Sequence, residues 1–183
     1  MDDMISAMIQ ETMALGAYGA GAVAIDKIVF DRGFLSLCES NACGNFGKCW
    51  TCPPDVGNID ELIEEAKNFD GVVVYQTVRD LEDSYDFEGM MEAGRLHNEL
   101  AEKITAAFAD REFTKTLHLG AGGCRICEVC AKRQEEPCRY PDRAMASLET
   151  YGVDVSQLAS AAGLKYINGQ DTVTFFGAYF YKR

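Results

Sequence analysis

The fold is decided by one apolar run, Val72-Val73-Val74-Tyr75-Gln76-Thr77-Val78, which follows the turn Asp70-Gly71. β-Branched and aromatic residues fill the run without the alternation of a half-exposed strand, so it predicts a strand that is covered on both faces. Before this run, apolar residues at helical spacing predict a helix opened by Asn58 as its N-cap. After it, the same spacing predicts a longer helix over about 87–108, and a further strand is expected over 113–119.

Together with a strand, or an interrupted pair of short strands, expected over 22–30, this order of strands and helices predicts an α/β fold. We expect a single domain over 1–183, with a mostly parallel or mixed sheet of about 4–5 strands flanked by helices. Crossovers join strands that run in the same direction, so the loops after Phe30 and Leu119 should leave the carboxyl edge of the sheet, where such sheets place ligands. Both loops are rich in cysteine, and we expect them to meet at this one edge.

The overall charge and hydropathy restrict the kind of partner. The chain of 183 residues carries a net charge of −12, which repels nucleic acids and anionic membrane surfaces. No apolar run reaches the ~20 residues of a membrane span. The start, Met1-Asp2-Asp3-Met4, has no basic region before an apolar stretch and so is not typical of a signal peptide. We therefore expect a cytoplasmic protein, in whose compartment clustered cysteines indicate metal or redox chemistry more often than disulfides.

All eight cysteines fall into two sets, and all are candidate metal ligands. The sets are Cys38-x4-Cys43-x5-Cys49-x2-Cys52 and Cys124-x2-Cys127-x2-Cys130-x7-Cys138. Three cysteines at successive x2 intervals let a short loop place thiolates at three iron corners of a 4Fe–4S cluster. The fourth ligand then comes from a more distant position, often beside a proline, as in bacterial ferredoxins. Because prolines follow Cys52 and flank Cys138, the pattern predicts one or two 4Fe–4S clusters.

Glycines and basic residues surround the second set. Gly120, Gly122 and Gly123 precede Cys124 and are candidate cofactor-binding residues, since glycine lets the backbone pass close to a cluster and aim N–H donors at its sulfides. An ordinary flexible turn is the alternative. Five basic residues lie within 124–143, namely Arg125, Lys132, Arg133, Arg139 and Arg143. Positive charge there would raise the reduction potential of a cluster, bind an anionic partner or substrate, or simply belong to a solvated loop.

The two histidines are weaker candidates. His97 lies on the apolar stripe of the predicted long helix and is typical of a core residue. His118 precedes Cys124 by six residues, near enough to approach a cluster as a ligand or as a neighbour of one.

Zinc is the main alternative to iron. Four-coordinate zinc commonly pairs two C-x2-C units, and Cys49/Cys52 with Cys124/Cys127 would supply them. That assignment leaves the other four cysteines unexplained, unless the chain holds two zinc ions with four thiolates each. A disulfide framework suits small secreted chains and does not fit this one.

Two segments carry a resemblance to a known family. One is Cys43-Gly44-Asn45-Phe46-Gly47-Lys48-Cys49-Trp50-Thr51-Cys52-Pro53-Pro54. The other is Gly122-Gly123-Cys124-Arg125-Ile126-Cys127-Glu128-Val129-Cys130-Ala131, followed by Pro137-Cys138-Arg139 and by residues 147–155. They resemble the signatures of a family of predicted metal-binding proteins, a cysteine-rich domain of unknown function. The resemblance implies metal binding, most simply as an iron–sulfur cluster.

One position departs from the pattern of that family, in which Cys49 is not usually a cysteine. The resemblance then implies that Cys49 is a spare thiol. The first set would consist of Cys38, Cys43 and Cys52 plus a ligand from elsewhere in the chain.

Three functions remain open at the level of sequence. The first is a 4Fe–4S redox protein that transfers electrons to a redox partner protein. The second is an enzyme or enzyme activator with an open cluster iron site, which an incomplete set of Cys38, Cys43 and Cys52 would supply. The third is a zinc-binding interaction domain. The sequence does not indicate an oligomeric state.

Overall fold

The computed structural model describes residues 3–183, so the acidic Met1-Asp2 start lies outside the described residues. These residues form four strands: β1 (Gly19–Ala24), β2 (Gly71–Asp80), β3 (Lys115–Leu119) and β4 (Thr172–Lys182). The α-helices are α1 (Asp3–Ala14), α2 (Phe34–Glu39), α3 (Ile59–Lys67), α4 (Phe87–Phe108) and α5 (Val155–Ala161). Short 3₁₀ turns cover Ile25–Lys27, Ala131–Gln134 and Glu149–Tyr151. None of the helices described is long and apolar enough to cross a membrane.

The strands form one sheet in the order β1-β2-β4-β3, and every neighbouring pair is antiparallel. The expectation of a mostly parallel or mixed sheet is therefore wrong. The crossover from β2 through α4 to β3 does join two strands that run in the same direction. However, the C-terminal strand β4 inserts between them and runs antiparallel to both, so β2 and β3 are not hydrogen-bonded to each other.

The predicted common carboxyl edge fails for the same reason. β1 ends at Ala24, which pairs with Gly71 at the start of β2. β3 ends at Leu119, which pairs with Ala178 in β4. Because β1 and β3 run in opposite directions, the chain leaves them at opposite edges of the sheet. The two cysteine-rich loops therefore cannot be brought together by the strand ends alone.

The sheet is covered on both faces, as the apolar run of β2 predicts. Val72 and Val74 face a core shared with α3, α5 and the segment around Tyr151. Val73 and Tyr75 face a second core formed with α1 and α4. The side chains of β2 from Val72 to Tyr75 are all fully buried, which makes this strand the centre of the protein.

Side-chain caps fix where three helices begin. The Asn58 side chain accepts a hydrogen bond of 2.8 Å from the Asp60 N–H at the start of α3, as predicted. Asp86 caps α4 by accepting from the Gly89 N–H at 2.8 Å, and Asp154 caps α5 by accepting from the Gln157 N–H at 3.0 Å. These caps satisfy backbone donors that have no partner within the first helical turn.

Backbone pairing outside the sheet brings the two cysteine stretches to the same side of the protein. After β1 the chain runs alongside 152–154, where Phe30 bridges Val153 and the Asp31 N–H donates to the Gly152 carbonyl at 2.7 Å. After β3, Gly120 bridges Ser147, in the segment that leads into 152–154. The segment 147–154 thus contacts the starts of both cysteine-rich loops, and the order of the strands in the sheet does not predict these contacts.

Candidate metal centre

The first cysteine stretch is a helix followed by tight turns. Cys38 lies near the end of α2, and Cys43 follows in an exposed turn. Gly47 adopts a left-handed backbone conformation (φ +66°), and its N–H donates to the Pro53 carbonyl at 2.9 Å. This contact folds the loop back on itself and buries Cys49 and Cys52, which are 2% and 9% exposed.

The second stretch has no regular structure between Gly120 and Cys130. It is anchored at its start, where the Gly120 N–H donates to the Ala146 carbonyl at 2.9 Å and the Leu148 N–H donates to the Gly120 carbonyl at 3.0 Å. It then enters the 3₁₀ turn Ala131–Gln134. Because no helix or strand includes Cys124, Cys127 or Cys130, the turns of the loop determine where their thiols point.

The two stretches contact each other directly. The Trp50 indole N–H, between Cys49 and Cys52, donates to the Glu136 carbonyl at 2.9 Å. Lys132 lies over the Trp50 ring, 4.6 Å from its centroid, and pairs with Asp55 at 3.0 Å. This ion pair is largely buried, with side chains 13% and 17% exposed, so it fixes the loops together more firmly than a surface pair would.

Five thiols from both stretches line one cavity. They belong to Cys49 from the first stretch and to Cys124, Cys127, Cys130 and Cys138 from the second. We call this the thiol cavity. Its enclosed space measures about 20 Å³, and Trp50, Ile126, Ala131 and Tyr140 are among the residues that complete its walls.

The remaining three cysteines form a second group next to the thiol cavity. The pKa of the Cys38 thiol is raised by partial burial and by the neighbouring Cys43. Cys38 and Cys43 both contribute to raising the pKa of Cys52, which places the three within electrostatic reach of one another. We call Cys38, Cys43 and Cys52 the three-thiol group.

Cys49 and Cys52 join the two groups through a hydrogen bond between their thiols. The Cys52 thiol donates to Cys49 and, helped by N–H groups of Thr51 and Cys124, lowers the pKa of Cys49 to about 5. The same contact, with burial, raises the pKa of Cys52 well above its usual range. The pair therefore holds one proton and one thiolate near neutral pH.

Backbone N–H groups also point at Cys124. The amides of Ile126 and Met145 both stabilise its thiolate, although burial is the larger effect and raises its pKa overall. Amide donors directed at cysteine sulfur are the arrangement that tunes iron–sulfur centres. Backbone amides therefore direct hydrogen bonds at the sulfur atoms of both Cys49 and Cys124, while only Cys49 has a lowered pKa.

None of the cysteines forms a disulfide in the described part of the chain. Within residues 3–183, no three Cys, His, Asp or Glu side chains are close enough to hold a single metal ion. Ligands of one zinc ion all lie about 2.0–2.3 Å from it, whereas the thiolates of a cubane each bind a different iron and lie farther apart. The cysteine thiols are thus chemically suited to bind a metal, and they lie farther apart than the ligands of a single ion.

The predicted glycines lie beside the thiols. A Cβ atom at Gly123 would lie 2.8 Å from the Asn45 side-chain nitrogen and 3.7 Å from the Cys52 sulfur, so a larger residue would displace the Asn45 side chain. Gly120 and Gly122 line a cleft on the other side of Cys124. Their role in holding a cluster stays a prediction.

Neither histidine lines the thiol cavity. His97, on the buried face of α4, contacts the Thr77 hydroxyl at 2.9 Å through Nδ1, while its Nε2 has no hydrogen-bond partner among the described residues. Both ring nitrogens of His118 are hydrogen-bonded, Nε2 to the Tyr75 hydroxyl at 2.8 Å and Nδ1 to the Thr105 hydroxyl at 2.7 Å. Burial lowers the pKa of His97 to about 4 and that of His118 to about 3, so both are neutral.

Sequence reasoning missed several residues that build the centre. Trp50 lies within the first cysteine motif. Its hydrogen bond to Glu136, which is 86 residues away in the chain, could not be predicted from the spacing of residues. Asn45 and Asp55 were not singled out either. A tryptophan between two cysteines in an otherwise tryptophan-free chain is the one signal that could have indicated a contact of this kind.

An antiparallel sheet that carries two interlocked cysteine loops on one side defines a cysteine-rich metal-binding protein. The chain belongs to the family described as predicted metal-binding protein (DUF2284), whose model matches residues 21–180. That range includes both cysteine stretches and all four strands except the first two residues of β1 and the last two of β4. Neither the search of curated proteins nor the search of solved structures returned a match.

Proposed function

We propose that this protein is an iron–sulfur redox protein that binds 4Fe–4S clusters through its cysteine loops and transfers electrons to a partner protein. The observation that supports this most is the thiol cavity, where five cysteines from two distant stretches converge. A cubane needs four thiolates, so the cavity provides a complete set and one thiol in excess. When bound, the cluster supplies reversible one-electron chemistry, with a potential set by its surroundings.

The residues present fit this cofactor in their chemistry. Cys124, Cys127 and Cys130 would supply three ligands, and Cys49 or Cys138 the fourth. The enclosed space is only about 20 Å³, so the loops must open to admit a cluster. The irregular backbone between Gly120 and Cys130 is the segment that can adjust, while the paired Gly120 and the buried Lys132–Asp55 contact hold its ends.

The three-thiol group favours a second candidate function. Three thiolates leave one iron of a cubane without a cysteine ligand, and an open iron can bind a substrate directly. In that case the protein is an enzyme or enzyme activator rather than a pure electron carrier. Both functions suit the cytoplasm, where cysteines stay reduced and available to metal.

Anaerobic spectroscopy tests the proposal. Protein purified without oxygen should be brown, with broad visible absorption that dithionite bleaches and that an added one-electron acceptor restores. A reduced sample should give an electron paramagnetic resonance signal of a half-integer-spin cluster. A colourless protein that carries zinc would overturn the proposal and favour the interaction-domain alternative.

A further inference from the structure

A second cleft adjoins the thiol cavity and shares Cys124 with it. We call it the donor cleft; α4 forms one wall, through Asn98 and Glu102, and the loop from Gly120 to Ile126 forms another. Arg143 and Met145 close it. A ligand in the donor cleft would therefore lie next to a metal held by Cys124.

Arg125 is the charged centre of the donor cleft. Its guanidinium is half-buried, donates one hydrogen bond of 2.8 Å to the Ala121 carbonyl and lies 5.4 Å from the centroid of the Phe175 ring. Among the described residues, no carboxylate pairs with it. Burial of a guanidinium without a carboxylate partner is unfavourable, which favours a further acceptor beside Arg125. The remaining N–H groups of Arg125 are thus free to bind an acceptor.

The α4 residue that faces the Arg125 guanidinium is a glycine, Gly94. Gly94 lies within this helix, where glycine is less favourable than alanine by about 1 kcal/mol. A Cβ atom at Gly94 would lie 3.1 Å from Nε and 3.3 Å from Cζ of Arg125. The helix therefore carries a glycine where the guanidinium packs against it, and a methyl group there would force Arg125 to shift by a few tenths of an ångström.

Further donors converge on the same cleft. In the described structure the backbone N–H groups of Ala121, Gly122 and Gly123 have no protein acceptor. Gly122 is left-handed (φ +66°), and a left-handed residue in a run of free amides is typical of anion-binding nests. The Asn98 side chain also lines the cleft without a hydrogen bond to protein. The one carboxylate in the wall, Glu102, is already paired with Arg143 at 2.6 Å.

We propose that the donor cleft binds the oxyanion end of a small molecule, a carboxylate or a phosphate group, beside the metal centre. A planar guanidinium with free N–H groups recognises either group. The enclosed part of the cleft measures about 10 Å³, roughly the space that one water molecule needs, so only the end of the ligand enters and the rest lies outside. The proposal does not depend on which metal the cysteines hold.

Calorimetric titration of the metal-loaded protein tests the site. One arm uses sodium acetate and the other inorganic phosphate, each at constant ionic strength set with chloride. We expect saturable binding in one arm, which identifies the oxyanion, and a loss of about tenfold or more in affinity for Arg125→Leu. Arg133→Leu is the matched control, because Arg133 lies in the same stretch but is exposed, lines neither cavity and donates to the Gly44 carbonyl instead.

Two further variants separate a binding role of Arg125 from a structural one. Gly94→Ala keeps the guanidinium but displaces it and should weaken binding, and Asn98→Ala removes one donor at the cleft wall. Metal content per chain, measured in each variant, reports whether the cysteine loops stay intact. No saturable binding of acetate or phosphate, or equal binding by wild type and a metal-replete Arg125→Leu, would overturn the proposal. A zinc-loaded protein that still binds the oxyanion would contradict only the iron–sulfur function.

Discussion

Cys49 belongs to the first cysteine stretch but lies among the thiols of the second. It lines the thiol cavity with Cys124, and the Cys124 N–H helps to stabilise its thiolate. A ligand at this position would tie the two loops together through the metal. The family pattern implied that Cys49 is a spare thiol, whereas its burial and its neighbours favour a ligand.

Serine substitutions distinguish these roles. We expect Cys49→Ser to lower the metal content of anaerobically purified protein as strongly as Cys124→Ser does, because both thiols face the same cavity. Cys43→Ser is the control within the first stretch, since Cys43 is exposed and lies outside the cavity. It should leave the metal of the thiol cavity in place. If Cys49→Ser retained the full wild-type metal content, Cys49 would be the excess thiol and Cys138 the fourth ligand.

At the scale of secondary-structure elements, a buried polar cluster connects the centre of the sheet to α4. Tyr75 in β2 contacts His118 in β3 by a hydrogen bond and stacks on His97 from α4, with ring centroids 5.4 Å apart. The cluster holds both histidines of the chain in a neutral state. An unfolded chain would bind protons at both near pH 6.5, so the cluster makes stability depend on pH.

The free energy of unfolding should fall as the pH decreases below about 6.5. Between that value and the lowered pKa of about 4 for His97, only the unfolded chain binds the proton, so acid favours unfolding. The slope approaches about 1.4 kcal/mol per pH unit for each histidine. Urea unfolding at several pH values measures it.

His97→Asn is the matched variant for that experiment, because an asparagine side chain can still reach Thr77 but does not titrate. It should remove roughly half of the slope between about pH 5 and 6.5, where carboxylates contribute little. A wild-type protein whose stability is flat over this range would contradict the neutral, buried state of the histidines.

Individual elements followed from the sequence more closely than their arrangement did. The range predicted for α4 agrees with Phe87–Phe108, and the apolar run lies within β2, because helical spacing and continuous apolar character are local signals. A strand carries no local signal of its direction or its partner. The insertion of β4 between β2 and β3 depends on contacts across the whole chain, and this is why the parallel expectation was wrong.

The segment over 22–30, predicted as one strand or an interrupted pair, shows the same limit. Gly19–Ala24 forms a strand, the chain then turns through Ile25–Lys27, and Phe30 makes only an isolated bridge to Val153, so the segment is interrupted. The cysteine sets were recognisable because ligand spacing is local. The division of the cysteines into a thiol cavity and a three-thiol group could not be predicted, because Cys49 of the first stretch joins the thiols of the second only in the folded chain.

At the scale of the whole molecule, the folded core and the metal centre are separate. Among the residues described, neither hydrophobic core includes a cysteine, and the thiols lie outside the sheet, with Cys38 at the end of α2 and the others in loops and turns. The two cores bury all of the central strand β2 from Val72 to Tyr75. This contrasts with zinc fingers, whose folding requires the metal.

Metal removal should therefore leave the body of the protein folded. After chelation under reducing conditions we expect unchanged far-ultraviolet circular dichroism and a cooperative thermal transition. The loop 120–143 should instead become more sensitive to trypsin, at Arg125 and Arg133, because only the Lys132–Asp55 and Trp50–Glu136 contacts then hold it to the first stretch. Loss of the helical signal on chelation would show that the core depends on the metal.

The identity of the bound metal tests the central claim most directly. Iron, acid-labile sulfide and zinc should be quantified per chain in protein purified without oxygen. We expect iron and sulfide in equal amounts, about four of each per cluster, and no stoichiometric zinc. Stoichiometric zinc without sulfide would contradict the assignment of the thiol cavity as an iron–sulfur site.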